Sequence, residues 1–189
     1  MKCEGTVTVV GVVYAALSLA AFVLFVPQPA NAARFTHPTL GYSLAYPDTW
    51  HAGFIPPPGG LTLTSFPEYQ HGGVIPPGGV DIHVLLLSPD QTNDTAINDL
   101  TRYDRVAARK TVLMHGVPAE RLDWAEQLSS EHNENWVAIA VRIGGKQFLC
   151  FLSYWANDPK AARWEQVFDD VIASVLVTDV VPETPAPSH

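Results

Sequence analysis

The sequence feature that most constrains the fold is the run Lys146–Trp155, which is apolar on both of its faces. In an extended strand successive side chains point to opposite sides. One side would then carry Phe148, Cys150, Leu152 and Tyr154, and the other Leu149, Phe151 and Trp155. A strand buried on both sides needs a layer above it and a layer below it. We therefore predict a central strand with helices packed over at least one face of the sheet.

The preceding run, Trp136–Ile143, is joined to this strand by Gly144-Gly145. Two glycines adopt the positive φ angles of a tight hairpin turn without strain, so the pattern predicts a β-hairpin. Alternating apolar residues predict further strands at Tyr42–Tyr46, Trp50–Ile55, Leu61–Phe66, Val80–Leu87, Lys110–Met114 and Val117–Glu126.

Helical spacing of apolar residues appears in two places. The first is Asn93–Tyr103, and the second carries the apolar stripe Trp164, Phe168 and Ile172. Before the second stripe, Asp158 is predicted to cap the helix, with Pro159 in its first turn.

The chain of 189 residues is long enough for one domain with a sizeable core. Residues 1–32 are predicted to be a signal peptide, since an apolar run is followed by prolines and the small residues Ala30-Asn31-Ala32. The alternative is an uncleaved membrane anchor, because Val7–Val26 approaches the ~20 apolar residues that span a bilayer. Both alternatives place residues 33–178, the expected domain, outside the cytoplasmic membrane, secreted or periplasmic. The proline-rich residues 179–189 are expected to be a disordered tail.

The charge balance excludes some classes of partner. The net charge is −8, and removing residues 1–32 takes away one Lys and one Glu and leaves it unchanged. Nucleic acids and anionic membrane surfaces require clustered Lys and Arg, so we expect neither as a partner, and a membrane association only through an uncleaved leader. Cys150 would be the single cysteine of the mature chain, which excludes an intramolecular disulfide.

The two ends of the expected domain carry motifs of a known family. The opening Gly41-Tyr42-Ser43-Leu44-Ala45-Tyr46-Pro47-Asp48-Thr49-Trp50 resembles the "G-(F/Y)-S-(I/L)-x-(Y/F)-P-x-x-W" start of PsbP-like domains. The ending, with Trp164, Phe168 and Ile172-Ala173-Ser174-Val175, is similar to the helix that closes such domains. The resemblance would cover roughly residues 34–178.

This resemblance implies an α+β fold: a PsbP-like α/β/α sandwich with a mainly antiparallel central sheet and helices packed on it. It implies no particular activity, because the family includes photosystem, nuclear-transport and uncharacterised exported proteins that share no active site. No cofactor-binding or metal-binding residue of the photosystem member aligns with this chain, and no cofactor is expected. A folding role is predicted for Trp50, which should lie against the core.

Weak signals for chemistry lie near the second Pro/Gly loop. Asp81 and His83 are two residues apart on a strand, so they point to the same face, and with His71 and Glu68 they could hold a metal ion or form an acid–histidine pair. The alternative is that they are solvated polar residues at the start of a strand.

The sequence lacks the motifs of the common enzyme classes. A thiol enzyme would need an activated Cys150, whose apolar neighbours predict a buried thiol with a raised pKa. The sequence contains no Gly-x-Ser-x-Gly elbow, Walker loop or dinucleotide fingerprint.

The two Pro/Gly-rich loops, Pro56–Gly60 and Ser65–Gly79, are the other candidate site. They and their flanks carry apolar residues expected to be exposed: Phe54, Phe66, Tyr69 and Ile75. Long loops on a rigid scaffold commonly hold binding residues. Alternatively, these side chains cover a sheet edge or one end of the core.

Three functions remain open from the sequence. The first is an exported, non-enzymatic accessory domain that binds a protein or small molecule through the loops. The second is a hydrolytic or metal-dependent enzyme that uses Asp81, His83 and His71. The third is a structural domain anchored at the envelope.

Overall fold

The computed structural model describes residues 31–55, 60–67, 75–101, 108–114, 116–131 and 133–178. Most of the leader, Glu68, Tyr69, His71 and the tail 179–189 lie outside these ranges. The described elements are β1 (Ala32–Thr36), β2 (Tyr42–Pro47), β3 (His51–Ile55), β4 (Gly60–Thr64), β5 (Val80–Leu86), α1 (Asn93–Thr101), β6 (Ala108–Met114), β7 (Val117–Gln127), β8 (Asn133–Ile143), β9 (Lys146–Trp155), α2 (Ala161–Ala173) and β10 (Leu176–Val177).

The described strands form two sheets. The larger has seven strands in the order β3-β4-β5-β9-β8-β7-β6, and the smaller has three in the order β1-β2-β10. Every described pairing is antiparallel. The predicted mainly antiparallel central sheet is therefore confirmed.

The apolar strand β9 lies in the middle of the larger sheet, as its two apolar faces predict. Phe148, Cys150 and Leu152 face a core cluster that includes α2 and the smaller sheet. On the opposite face, Leu149 packs with Ala96 and Ile97 of α1 in a second cluster. Helices thus cover both faces of the sheet, in the order α1, larger sheet, then α2 together with the smaller sheet.

The hairpin between β8 and β9 turns through two glycines in the left-handed region. Gly144 has φ 53° and Gly145 has φ 81°. This conformation costs other residues energy and matches the twist of the paired strands. The predicted hairpin is confirmed at its predicted turn.

The closing helix begins later than its sequence predicts, and the expected cap is corrected. Asp158 does not cap α2, which begins at Ala161 after Lys160. Its Oδ1 accepts a hydrogen bond from the backbone of Lys160 at 2.7 Å, and its Oδ2 accepts one from Trp164 Nε1 at 3.0 Å. The carboxylate therefore orders the turn before the helix, which contains Pro159, and links this turn to the first helical turn.

The opening and closing motifs meet in space. Ser174, which follows α2, accepts a hydrogen bond from Ala45 N of β2 at 2.8 Å. Strand β10 pairs with β2 only at Ser43 and Tyr42, so Ala45 lies beyond the end of that pairing. The serine hydroxyl therefore accepts the hydrogen bond of the Ala45 N–H, which the short strand β10 does not reach.

Trp50 packs as the sequence predicts. Its ring lies edge-on to Trp164 of α2, with centroids 6.2 Å apart, and it is partly buried against the main core. Within the described ranges, no helix is both long and apolar enough to cross a membrane.

Candidate functional site

A group of aromatic rings lies where the edge strands of the two sheets come together. Phe54 belongs to β3, the edge of the larger sheet, and Phe35 to β1, the edge of the smaller one. The ring centroid of Phe54 is 5.4 Å from that of Phe35 and 5.6 Å from that of His37. We call Phe35, His37 and Phe54 the aromatic edge. Phe54 is 63% exposed, so the group presents an apolar ring to solvent.

Below the aromatic edge, further rings lead into the core. Tyr42 lies 5.3 Å from His37 and 5.5 Å from Phe148 of the central strand, measured between ring centroids. The Tyr42 hydroxyl is buried and has no hydrogen-bond partner among the described residues. Burial raises the pKa of Tyr42 to about 12. The edge is thus supported from below by rigid, buried rings.

His37 holds the turn that follows β1. Its Nδ1 accepts hydrogen bonds from the backbone N–H of Leu40 at 3.1 Å and of Thr39 at 3.3 Å. A nitrogen that accepts two N–H groups cannot itself carry a proton. Partial burial lowers the pKa of His37 below its ordinary value, because desolvation disfavours the imidazolium.

The second candidate lies on the α1 face of the larger sheet. His83 Nε2 is 2.8 Å from Asp81 Oδ2, which confirms that these residues share a face and form a contact. Thr64 and Ser153 are the cross-strand neighbours of Asp81, and all three are at most 4% exposed. Asp81 Oδ1 is buried without a hydrogen-bond partner in the described part of the chain.

Among the described residues, this buried polar group has neither the arrangement of a serine triad nor a third metal ligand. Ser153 is the register partner of Asp81, whereas the histidine of a serine triad must lie between the serine and the acid. Over the described ranges, no three His, Cys, Asp or Glu side chains come together in a way that could hold a metal ion. What the geometry shows is a buried carboxylate held by one histidine.

Cys150 lies in the core, as its neighbours predict. It is fully buried, and burial raises the pKa of its thiol to about 12. A nucleophilic cysteine requires the opposite shift and an accessible sulfur. Cys150 therefore serves as a small core residue.

The structure separates the residues that the sequence grouped as loop candidates. Phe54 is exposed, as expected, and Phe66 is partly buried. The expected exposure of Ile75 is wrong, since its side chain is only 3% exposed. Its carbonyl accepts a hydrogen bond from Trp155 Nε1 at 2.6 Å, which draws this end of the loop onto the sheet. Burying such a side chain is worth roughly 1.5–3 kcal/mol, enough to favour this position over solvent.

Sequence reasoning missed most of the aromatic edge. Phe35 and His37 are far from Phe54 in the chain and come together only because β1 and β3 are the edge strands of different sheets. The Phe35-Thr36-His37 alternation was the available signal, since it places two rings on one side of an extended segment.

No protein-family model matches this chain, and no curated protein matches its sequence. Solved structures do match. A crystal structure of a protein from Bacteroides thetaiotaomicron is 14% identical with a TM-score of 0.53. The match covers 78% of this chain, which spans 48% of the length of that protein.

Two other matches cover nearly the whole length of the solved structure. The Saccharomyces cerevisiae Ran-binding protein Mog1p is 9% identical with a TM-score of 0.51, and the match covers 78% of this chain and 95% of that one. The cyanobacterial PsbP of Synechocystis sp. is 14% identical with a TM-score of 0.47, covering 85% of this chain and 98% of that one.

At such low sequence identities, the comparisons show a similarity of fold alone. The match to the Ran-binding protein Mog1p takes in almost all of that protein's chain. The antiparallel sheet with helices on both faces agrees with it. This chain has the PsbP-like α+β fold that its opening and closing motifs predict, and its function has to be argued from its own residues.

Proposed function

We propose that this chain is an exported, non-enzymatic domain that binds a protein or small-molecule partner through the aromatic edge and the two Pro/Gly-rich loops. The observation that carries the proposal is Phe54, which is 63% exposed although its ring is already ordered by Phe35 and His37. Among the large hydrophobic side chains exposed in the described ranges, it is the one aromatic residue.

An ordered, exposed ring suits binding. Aromatic side chains are enriched at interfaces because they bury a large area for little loss of rotamer freedom. The neighbouring rings hold Phe54 in place before a partner arrives, so less entropy is lost on binding. The sequence candidates Phe66 and Tyr69 of the second Pro/Gly loop belong to the same proposal, whereas the buried Ile75 does not contribute its side chain.

The proposed location and chain organisation rest on the sequence. We propose that residues 1–32 direct export, that residues 33–178 form the binding domain outside the cytoplasmic membrane, and that residues 179–189 follow it as a tail. The N-terminal residue of the exported protein, read by mass spectrometry, distinguishes a cleaved signal peptide from a retained anchor. An N-terminus at Ala33 supports cleavage.

The test of the binding proposal compares two variants of the tagged, exported chain. One carries Phe54→Ala, Phe66→Ala and Tyr69→Ala together, and the matched control carries Leu113→Ala. Leu113 is 71% exposed and lies on β6, at the opposite edge of the sheet. We expect quantitative mass spectrometry of co-purifying molecules to show a partner that is lost with the triple variant and kept with the control. Equal recovery with both variants contradicts the proposal.

A second candidate function, a hydrolytic or metal-dependent enzyme, is favoured by the contact of Asp81 with His83 at 2.8 Å. Metal analysis of the purified chain separates it from the first. Stoichiometric zinc or manganese in the wild type, lost with His83→Ala, would favour the enzyme. The enzyme proposal is contradicted if the wild type holds no metal and His83→Ala changes neither the melting temperature nor the hydrolytic activity. The binding proposal then remains as the single candidate.

A further inference from the structure

The two edges of the larger sheet are protected to different degrees. Edge strands offer unpaired N–H and C=O groups to any other strand, and proteins commonly guard them with charged side chains. On β6, Arg109 contacts Asp94 and Glu120, and Lys110 contacts Asp123. The segment β3, His51–Ile55, contains no Lys, Arg, Asp or Glu.

Strand β3 is also open to solvent. Its first four residues are exposed, including the aromatic Phe54. A β-carbon added to Gly53 would meet no atom within 4 Å. A short, uncharged and accessible edge of this kind is a template for strand addition.

The residue pattern of β3 fits an antiparallel copy of itself. If a two-fold axis passes through Gly53, then Ala52 lies opposite Phe54 of the second copy, and His51 lies opposite Ile55. Residues directly opposite each other point to the same face, so each Phe54 ring lies beside the small Ala52 of the other copy. At the axis, two glycines meet and no side chains collide.

We propose that two copies of this chain associate by antiparallel pairing of their β3 strands about Gly53, which joins the two seven-stranded sheets into one. Such a contact is isologous, since each copy uses the same surface. It also places the two aromatic edges side by side on one face of the joined sheet. The proposal does not depend on the binding function, because the backbone of β3 forms the contact.

Five-residue strands bury a small area compared with the standard interface of about 1,600 Å², so the dimer should be weak and concentration-dependent. Sedimentation velocity of the purified chain over a wide concentration range tests it. We expect the average mass to rise toward that of a dimer for the wild type, and to stay that of a monomer for Ala52→Lys at the same concentrations. Leu113→Lys, on the opposite edge, should behave as the wild type. A wild type that stays monomeric throughout overturns the proposal.

Cross-linking tests the register. In a Cys3→Ser background the introduced cysteine is the accessible one, because Cys150 is fully buried. Gly53→Cys should form an intermolecular disulfide, since residues paired at the axis lie within the Cα separation that a disulfide needs. Ala52→Cys should not form this disulfide. Ala52 of one copy lies opposite Phe54 of the other, so the two residues at position 52 are offset by two positions and their Cα atoms lie more than about 7 Å apart. Equal cross-linking at both positions indicates non-specific association and overturns the register, with circular dichroism confirming that both variants are folded.

Discussion

At the residue scale, His37 makes the stability of the fold depend on pH. Its Nδ1 can accept the N–H groups of Thr39 and Leu40 only while it is unprotonated. The pKa of His37 is lowered from 6.5 in the folded chain because burial desolvates it. As the pH falls below 6.5, the unfolded chain takes up a proton that the folded chain excludes. The stability that His37 contributes is therefore complete above pH 6.5 and declines as the pH falls toward the lower, folded-state pKa.

We expect denaturant unfolding to show this loss as the pH falls below 6.5, before most carboxylates titrate. The matched variant is His37→Asn, whose side-chain oxygen can accept the same N–H groups without titrating in this range. The difference in unfolding free energy between wild type and variant should change with pH in this window. A constant difference would show that His37 is protonated equally in both states.

At the element scale, the junction of β2 with the end of α2 depends on one hydroxyl. Ser174 Oγ accepts from Ala45 N at 2.8 Å and donates to Val171 O at 2.7 Å. Ser174→Ala leaves the N–H of the largely buried Ala45 without a partner, which costs about 1–3 kcal/mol. Chemical denaturation measures this loss. The exposed Ser130→Ala should change the unfolding free energy by less than about 0.5 kcal/mol. Equal effects would mean that water replaces the hydroxyl.

The turn between β8 and β9 also lies close to β10, so a larger side chain in the turn would displace that strand. Gly144 and Gly145 both have positive φ, so an alanine at either position costs roughly 1–2 kcal/mol. A β-carbon on Gly144 would in addition approach Val177 Cβ to 2.7 Å, whereas one on Gly145 would meet nothing within 4 Å. We therefore expect Gly144→Ala to lower the unfolding free energy more than Gly145→Ala in the same denaturant titration. A larger loss for Gly145→Ala would indicate that β10 moves aside at little cost.

The same elements show how far the sequence predicts the molecule. The two-faced apolar run and the Gly-Gly pair predict the central hairpin because strand periodicity and turn chemistry are local properties. The start of α2 differs from the prediction because Asp158 bonds to the backbone of Lys160 and to the Trp164 side chain, and Lys160, not Asp158, is the residue that precedes the helix. The burial of Ile75 differs from the prediction in a segment whose backbone is bonded to the side chain of Trp155, 80 residues away, a contact that the local sequence does not contain. The aromatic edge requires knowledge of which strands lie at the edges, a property of sheet order that local periodicity does not contain.

At the scale of the whole molecule, Cys150 reports on global unfolding. It is fully buried in β9, which pairs with β5 and β8 and is covered on both faces. Its thiol reaches reagent only when these layers separate, and the pKa of about 12 leaves little thiolate in the folded state. In a Cys3→Ser background, the free energy of opening measured by thiol labelling should equal that of unfolding measured by denaturant. An exposed control, Ser130→Cys, gives the rate of unprotected labelling.

A core substitution outside β9 and the strands that pair with it should change the labelling of Cys150 by the same free energy as it changes unfolding. Trp50 packs edge-on to Trp164 and lies in the turn between β2 and β3, neither of which pairs with β9. Because Trp50 is only partly buried, we expect Trp50→Ala to cost about 3 kcal/mol, the lower end for a large-to-small core change. At 1.4 kcal/mol for each factor of ten, Cys150 should then label about 100-fold faster. If denaturant unfolding shows this loss while the labelling rate stays unchanged, β9 opens locally. The larger sheet and the layer packed on it then do not unfold as one unit.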